Sequence, residues 1–334
     1  MKHRIAAALF STIRPSLLGR LTGANPAFLF YHLISDADVP HVRHLYRYKT
    51  IRQFREDIDY LLRHYRPISL ADVLEHFRCG MPFPDRAFML SLDDGFREVH
   101  EVVAPILLEK GVPAAFFLNS AFIDNGNLCF LHKTSLLVEA LGKRHRAPEL
   151  EDILPSGGRK QSDLASSILS IPYERRDVLD ELARRLDVDF EACLRDEKPY
   201  LTSDQIRNLI RNGFAVGAHS LDHPLYSSLD LEEQLRQTLE SVRAIRERFA
   251  LPYGVFAFPY NDHGVSREFF RRLGESGEVE VTFGTSGMVE DCVARHLQRL
   301  SLEKPPMPAE KIIALECARK LYRMAKGKDR VIRK

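Results

Sequence analysis

Seven short apolar runs punctuate the chain: Phe28–Ile34, Ala87–Leu92, Ala114–Leu118, Phe214–Ala218, Val255–Phe258, Val279–Phe283 and Leu297–Leu302. Runs of this length, bounded by polar stretches, read as strands buried on both faces. Between them, Ile51–Tyr65, Val99–Lys110 and Leu231–Phe249 repeat apolar residues at three- and four-residue intervals, the period of an amphipathic helix. Strand alternating with helix is the signature of parallel βα units, and seven such strands predict an α/β fold of the distorted, TIM-like (β/α) barrel type.

The rhythm breaks between Asp124 and Tyr200. Helical pieces at Ser135–Leu141, Leu164–Ser170 and Glu174–Leu186 surround the polar run Pro155–Gln161, with no convincing strand. This pattern predicts a helical insertion after the third strand rather than a second domain. Beyond the last strand, Ala309–Lys326 places Ile313, Cys317, Leu321 and Met324 on one side and Lys311, Arg319, Lys320 and Arg323 elsewhere, a basic amphipathic helix. The expected organisation is a basic N-terminal segment over 1–24, a barrel over 25–305 carrying the insertion 124–200, and a basic helix and tail over 306–334.

Composition narrows the possibilities. With 45% hydrophobic residues, 20 Phe and 11 Tyr among 334 residues, the chain can bury enough apolar surface to offset the entropy of ordering it, which excludes a disordered protein. The net charge of +2 argues against a nucleic-acid binder, but it is unevenly spread: +4 over 1–24, +7 over 318–334 and −9 between. Five scattered cysteines without a C-x-x-C pair exclude a disulfide framework or zinc ribbon. Arg14 and Pro15 cut the first apolar stretch too short for a signal peptide or membrane span. The expectation is a cytoplasmic protein, with two readings for its basic ends: contact with the anionic inner membrane face, segment 5–21 lying there as a membrane-surface helix, or solvated tails.

Two local features carry chemistry. Ser91-Leu92-Asp93-Asp94-Gly95 ends a strand, where adjacent carboxylates repel unless one binds a cation and leaves its neighbour free as a base. The bland reading is a turn in which an Asp caps the next helix and Gly95 supplies an unusual dihedral. His219-Ser220-Leu221-Asp222-His223-Pro224 ends another strand; two imidazoles are half of a zinc-like site, or simply two loop histidines. In a parallel barrel the strand C-termini share one mouth, so the pairs converge, and one carboxylate with two histidines leaves room for water and substrate as a catalytic metal requires. Pro259, Tyr260 and Asn261 sit at a further strand end, where a backbone N–H could hold an oxyanion. His32, His296 and Arg299 flank the first and last strands.

Together these segments resemble the polysaccharide deacetylase family, the NodB-homology or carbohydrate esterase family 4 enzymes. Asp93-Asp94-Gly95 is similar to its first motif, His219 to His223 to its second, and Phe28–His32 and Tyr200–Gln205 add to the likeness over most of 28–302. The resemblance implies a metal-dependent hydrolase that removes the N-acetyl group of an amino sugar in a glycan; the basic ends add a lipid-linked glycan precursor as a candidate substrate. It implies Asp93 as general base and Asp94, His219 and His223 as ligands of one divalent ion, zinc first, with cobalt, nickel or manganese possible. The arginine that the third motif often carries to orient the base is replaced by Ala257, and the fourth motif's Trp is absent. The general acid is open among His32, His296 and His263. The rivals are a non-catalytic carbohydrate-binding relic and another mononuclear metallohydrolase.

Overall fold

The computed structural model of the chain describes residues 25–144, 150, 153, 154 and 161–334. The segment 1–24, with its expected surface helix at 5–21, and most of the polar run 155–161 lie outside the described residues.

Eleven strands are described: β1 (Ala27–Tyr31), β2 (Arg66–Pro67), β3 (Ala87–Leu92), β4 (Ala114–Leu118), β5 (Ala215–Ala218), β6 (Val255–Ala257), β7 (Val281–Gly284), β8 (Glu290–Asp291), β9 (His296–Gln298), β10 (Leu300–Ser301) and β11 (Arg330–Val331). Eight of them form a parallel, nearly closed barrel in the order β10, β1, β3, β4, β5, β6, β7, β9, with β2 added beside β3. All seven apolar runs supply barrel strands. The last run differs in one respect: it breaks at Arg299 into β9, which pairs with β7, and β10, which pairs with β1, so a single segment closes the ring from both sides.

The two-residue alternation of a strand divides the core. Phe28, Met89, Ala115, Phe117, Val255, Ala257, Val281 and Phe283 pack together inside the barrel, capped by Leu70, Val73 and Leu74 of the helix Leu70–Cys79. Their strand neighbours Leu29, Leu90, Phe116, Val216 and Phe256 face the surrounding helices instead. Gly217 is where Phe117 and Val255 crowd the interior, and a Cβ there would stand 2.7 Å from both side chains.

The helices Ile51–His64, Leu231–Arg248 and Ala309–Ala325 lie where the periodicity puts them. The stretch Val99–Lys110 is divided, with a wider turn over Val99–Val103 before the α-helix Ala104–Lys110. Three further helices, Leu70–Cys79, Ser203–Arg211 and Arg267–Ser276, are short, and the first two begin at capping boxes, Ser69 with Asp72 and Thr202 with Gln205. The insertion holds the helices Phe130–Gly142, Gln161–Leu169 and Val178–Leu186 around its own apolar cluster, which includes Leu137, Ile168, Leu179 and Leu182.

The C-terminal helix does not keep its apolar stripe for a lipid surface. Ile312, Ile313 and Cys317 are buried in the main core and Leu321 packs against it, leaving only Met324 of the stripe exposed; the helix packs on Ile51–His64, and Lys320 is buried as well. The tail beyond it is not a solvated appendage either, since β11 pairs with β8 and Arg333 is buried against Asp262 and Asp291. No helix among the described residues is long and apolar enough to cross a membrane.

Candidate active site

Every residue of the candidate metal cluster sits just past the C-terminal end of a strand. Asp93 and Asp94 follow β3, and the chain reverses there with left-handed φ values of 70° at Asp94 and 69° at Gly95. A side chain at position 95 would be strained by that dihedral and would also press on Leu118. His219 follows β5, and its loop has two further left-handed residues, Ser220 and His223, at φ 69° and 66°. Non-glycine residues in this region cost energy that the surroundings must supply, and such strain clusters at functional sites.

Asp94, His219 and His223 come together as buried groups. His219 Nε2 and His223 Nε2 lie 3.4 and 3.3 Å from Asp94 Oδ1. The orientation of His219 is set from behind, because its Nδ1 is 2.8 Å from the Ala257 carbonyl oxygen, which makes Nδ1 the protonated nitrogen and leaves a lone pair on Nε2. Asp94 Oδ1 and His219 Nε2 are nevertheless buried without a hydrogen-bond partner. Buried polar atoms are normally satisfied, and three convergent atoms aimed at one another but not bonded have the donor set of a divalent ion. The residues therefore fit the metal that the sequence motifs imply. Burial pushes the Asp94 carboxyl up, but the imidazoles of His223 and His219 outweigh it and hold the group well below the usual carboxylate range.

Asp93 points to a different partner. Arg299, fully buried inside the barrel, grips it with two parallel bonds, Nη1 to Oδ1 at 2.7 Å and Nη2 to Oδ2 at 2.8 Å. The guanidinium also donates to Ser91 Oγ at 3.0 Å, and it stacks near the Phe30 ring, 4.5 Å from its centroid. The two acids of the motif are thus separated by environment, one held by an arginine and one turned to the histidines. The arginine expected two residues before Pro259 is indeed Ala257, but its place beside the aspartate is taken by Arg299, from the kink between β9 and β10.

A cavity of about 290 Å³ opens over this centre. Asp94, His223, His32 and Tyr260 line it, as do Tyr46, Glu303, and Cys129 and His132 from the insertion. His32 Nδ1 is 2.6 Å from Glu303 Oε2, and Glu303 is fixed by the Leu33 N–H. Burial lowers the affinity of His32 for its proton, but the Glu303 carboxylate more than compensates and raises the ring to about 9. His132 is held by the Tyr200 hydroxyl at 2.6 Å, and burial with His41 nearby keeps it well below the ordinary histidine value. Tyr260 has a left-handed φ of 54°, and its ring is 4.7 Å from that of His223. Pro259 is buried behind it.

Three sequence candidates are placed elsewhere. His296 is buried in a separate cluster, with Nε2 3.0 Å from Asp262 Oδ2 and Nδ1 2.7 Å from Thr282 Oγ1, and it does not line the cavity. That second group, Asp262, Asp291 and His296, has metal-like donors but already contains a cation, because Arg333 pairs with both carboxylates. His263 is exposed and faces Ser286. Asn261 spends its side-chain oxygen on the His263 N–H, closing the turn after β6. Of the residues the sequence reading missed, Glu303 and the insertion's His132 had no local signal. Arg299 stood in the sequence as a flank of the last strand, and its grip on Asp93 is what the structure adds.

The model of the polysaccharide deacetylase family matches residues 80–274, more than half of the chain. Over 81 residues the chain is 32% identical to the poly-beta-1,6-N-acetyl-D-glucosamine N-deacetylase of Escherichia coli (strain K12), a match that spans 23% of this chain and 12% of that protein. Among solved structures, the deacetylase PplD of Streptococcus pyogenes in complex with acetate aligns over 87% of this chain and 97% of its own, at 12% identity and a TM-score of 0.55. IcaB from Ammonifex degensii aligns over 88% and 97%, at 14% identity and a TM-score of 0.54. These likenesses show the same fold. With the family match lying across the strands that carry Asp93, Asp94, His219 and His223, the chain belongs to the polysaccharide deacetylase family.

Proposed function

We propose that the protein hydrolyses the N-acetyl group of an amino sugar in a glycan, with Asp94, His219 and His223 holding one divalent ion, zinc before cobalt, nickel or manganese. The observation that carries this reading is the trio of buried, converging donor atoms beside an arginine-held carboxylate. When bound, the ion would polarise the amide carbonyl and make its water acidic. Asp93 takes the proton from the attacking water, and the bidentate grip of Arg299 keeps its oxygens in one orientation. The C–N bond then breaks, acetate leaves, and the sugar nitrogen receives a proton. His32 is the group positioned to give it, since it lines the cavity and Glu303 keeps its ring charged. Pro259 and Tyr260 form the rim on which the acetyl oxygen would rest, through the Tyr260 backbone N–H.

The substrate is an N-acetylated polysaccharide or its lipid-linked precursor, as the mixed polar and aromatic cavity wall suits. Contact with an anionic membrane would rest on charge, from 1–24 and the exposed lysines of the C-terminal region, because most of the apolar face of that helix is packed on the helix Ile51–His64 and the core.

Acetate release and metal content of Asp94→Ala and Asp93→Asn test the reading. Asp94→Ala is expected to lose both, whereas Asp93→Asn keeps the metal and loses turnover. Glycan binding without acetate release by metal-loaded wild-type protein, across N-acetylated glycans, would establish the non-catalytic alternative instead.

A further inference from the structure

On the far side of the catalytic cavity wall, a groove of about 680 Å³ runs between the Val39–His41 loop, Arg97 and Glu98, and the insertion. Ligand sites usually enclose about 300–1,000 Å³. Two side chains lining it are more than nine-tenths buried and have a polar atom with no hydrogen-bond partner: His41 Nε2 and Glu98 Oε2, at 7% and 9% exposure. Buried groups of this kind rarely go unpaired, so the pair marks a missing ligand. The described lining holds six carboxylates and three Lys or Arg side chains, and most of these charges are already paired: Arg97 with Glu101, Lys143 with Glu139, Arg144 with Asp187, and Asp38 and Glu139 with Arg43. Glu98 has no such partner. The groove and the catalytic cavity are back to back, since the His41 ring is 5.3 Å from that of His132, which lines the cavity.

We propose that this groove is a second carbohydrate site and that it takes an amino-sugar unit with a free amine. The ammonium group donates to Glu98 Oε2, and the sugar hydroxyls meet His41 and the backbone of the 37–41 loop. Neutral N-acetylated units lack the cation that Glu98 requires and bind poorly. The proposal rests on the deacetylase reading for its biological sense, because a unit with a free amine is that reaction's product; the site would hold a glycan already processed on one unit.

The test is calorimetric titration of a glucosamine disaccharide and its di-N-acetylated counterpart into wild-type protein, Glu98→Gln and Ala140→Phe. Ala140 lines the groove from the insertion helix without touching the catalytic group, so the larger ring fills the space by a route independent of Glu98. Wild type is expected to prefer the free amine, and each variant to weaken its binding about tenfold or more, as loss of a charge-assisted bond implies. Acetate release from a short N-acetylated substrate stays within about twofold, because neither residue belongs to the catalytic cluster. Equal affinity of wild type and both variants for the free amine, or preference for the acetylated sugar, overturns the proposal. Amine binding that both variants lose upholds the groove even if no acetate is ever released, a result that would remove only the catalytic reading.

Discussion

The Arg299–Asp93 pair offers the sharpest prediction. Arg299→Met keeps an apolar stem among Phe30, Phe117 and Phe283 and removes only the charge and its donors. Unit charges about 4 Å apart at an effective dielectric of about 20 attract by roughly 4 kcal/mol. Removing one partner of a buried pair costs about 3–5 kcal/mol, because the other charge is left without compensation. The loss is a large part of a stability of about 5–15 kcal/mol, so the variant should fold but unfold at markedly lower urea. Arg299→Lys should be intermediate, since it keeps the charge but cannot make two parallel bonds. If Asp93 is the base, misorienting it should lower turnover by about 10²–10⁴ per folded molecule. Metal content should stay near wild type, because Asp94, His219 and His223 are untouched. Urea unfolding, acetate release and metal analysis on one preparation decide the matter. A methionine variant that loses less than about 1 kcal/mol and releases acetate at the wild-type rate would refute both the electrostatic account and the role given to Asp93.

Three other outcomes follow from the same reasoning. His32 rises from 6.5 to about 9 in the folded protein, so its pairing with Glu303 stabilises the fold fully below pH ~6.5 and is lost as pH climbs through about 9; the shift corresponds to roughly 3 kcal/mol at most, less because the side chain is 27% exposed. His32→Gln should therefore flatten the decline in stability between those pH values and lower turnover, and an unaltered pH–stability curve would remove the Glu303 pairing from the account. Arg333→Met leaves Asp262 and Asp291 buried without their cation and is expected to cost about 3–5 kcal/mol in urea unfolding, with KM and kcat of the remaining folded enzyme unchanged; a selective loss of kcat would show that this cluster serves catalysis. Stripping divalent metal with a chelator should abolish acetate release and lower the thermal midpoint, by about 2.7 kcal/mol of stability relative to metal at a hundred times its Kd, and a midpoint insensitive to the chelator would argue against the Asp94 site.

The barrel was legible because its strands are buried on both faces and so appear as continuous apolar runs, each followed by the residues that reach the mouth. Asp93, Asp94, His219 and His223 could be found for the same reason: their position immediately after a strand already determines which end of the barrel they occupy. Arg299 was hard to assign because its partner lies 206 positions away and the local place where a base-orienting arginine was expected holds Ala257. Whether the last strand turns His296 or Arg299 toward the motif depends on the kink between β9 and β10, and a period-two pattern has no means of showing a break of one residue. Asn261 looked free because an amide that closes its own turn is indistinguishable, in sequence, from one that faces a ligand. The C-terminal helix shows the same ambiguity on a larger scale: an apolar stripe says that something covers it, and only packing says that the cover is the helix Ile51–His64.

The kink at Arg299 also bears on how such a molecule is made. Asp93 emerges during synthesis long before the residue that will neutralise it, and a lone carboxylate resists burial in a phenylalanine-lined interior. The β9–β10 segment answers both needs, because it carries the guanidinium and bonds to both open edges of the sheet. Without that segment the sheet would keep two open edges and an uncompensated acid between them. Closure of the barrel and seating of the candidate base are therefore the same event.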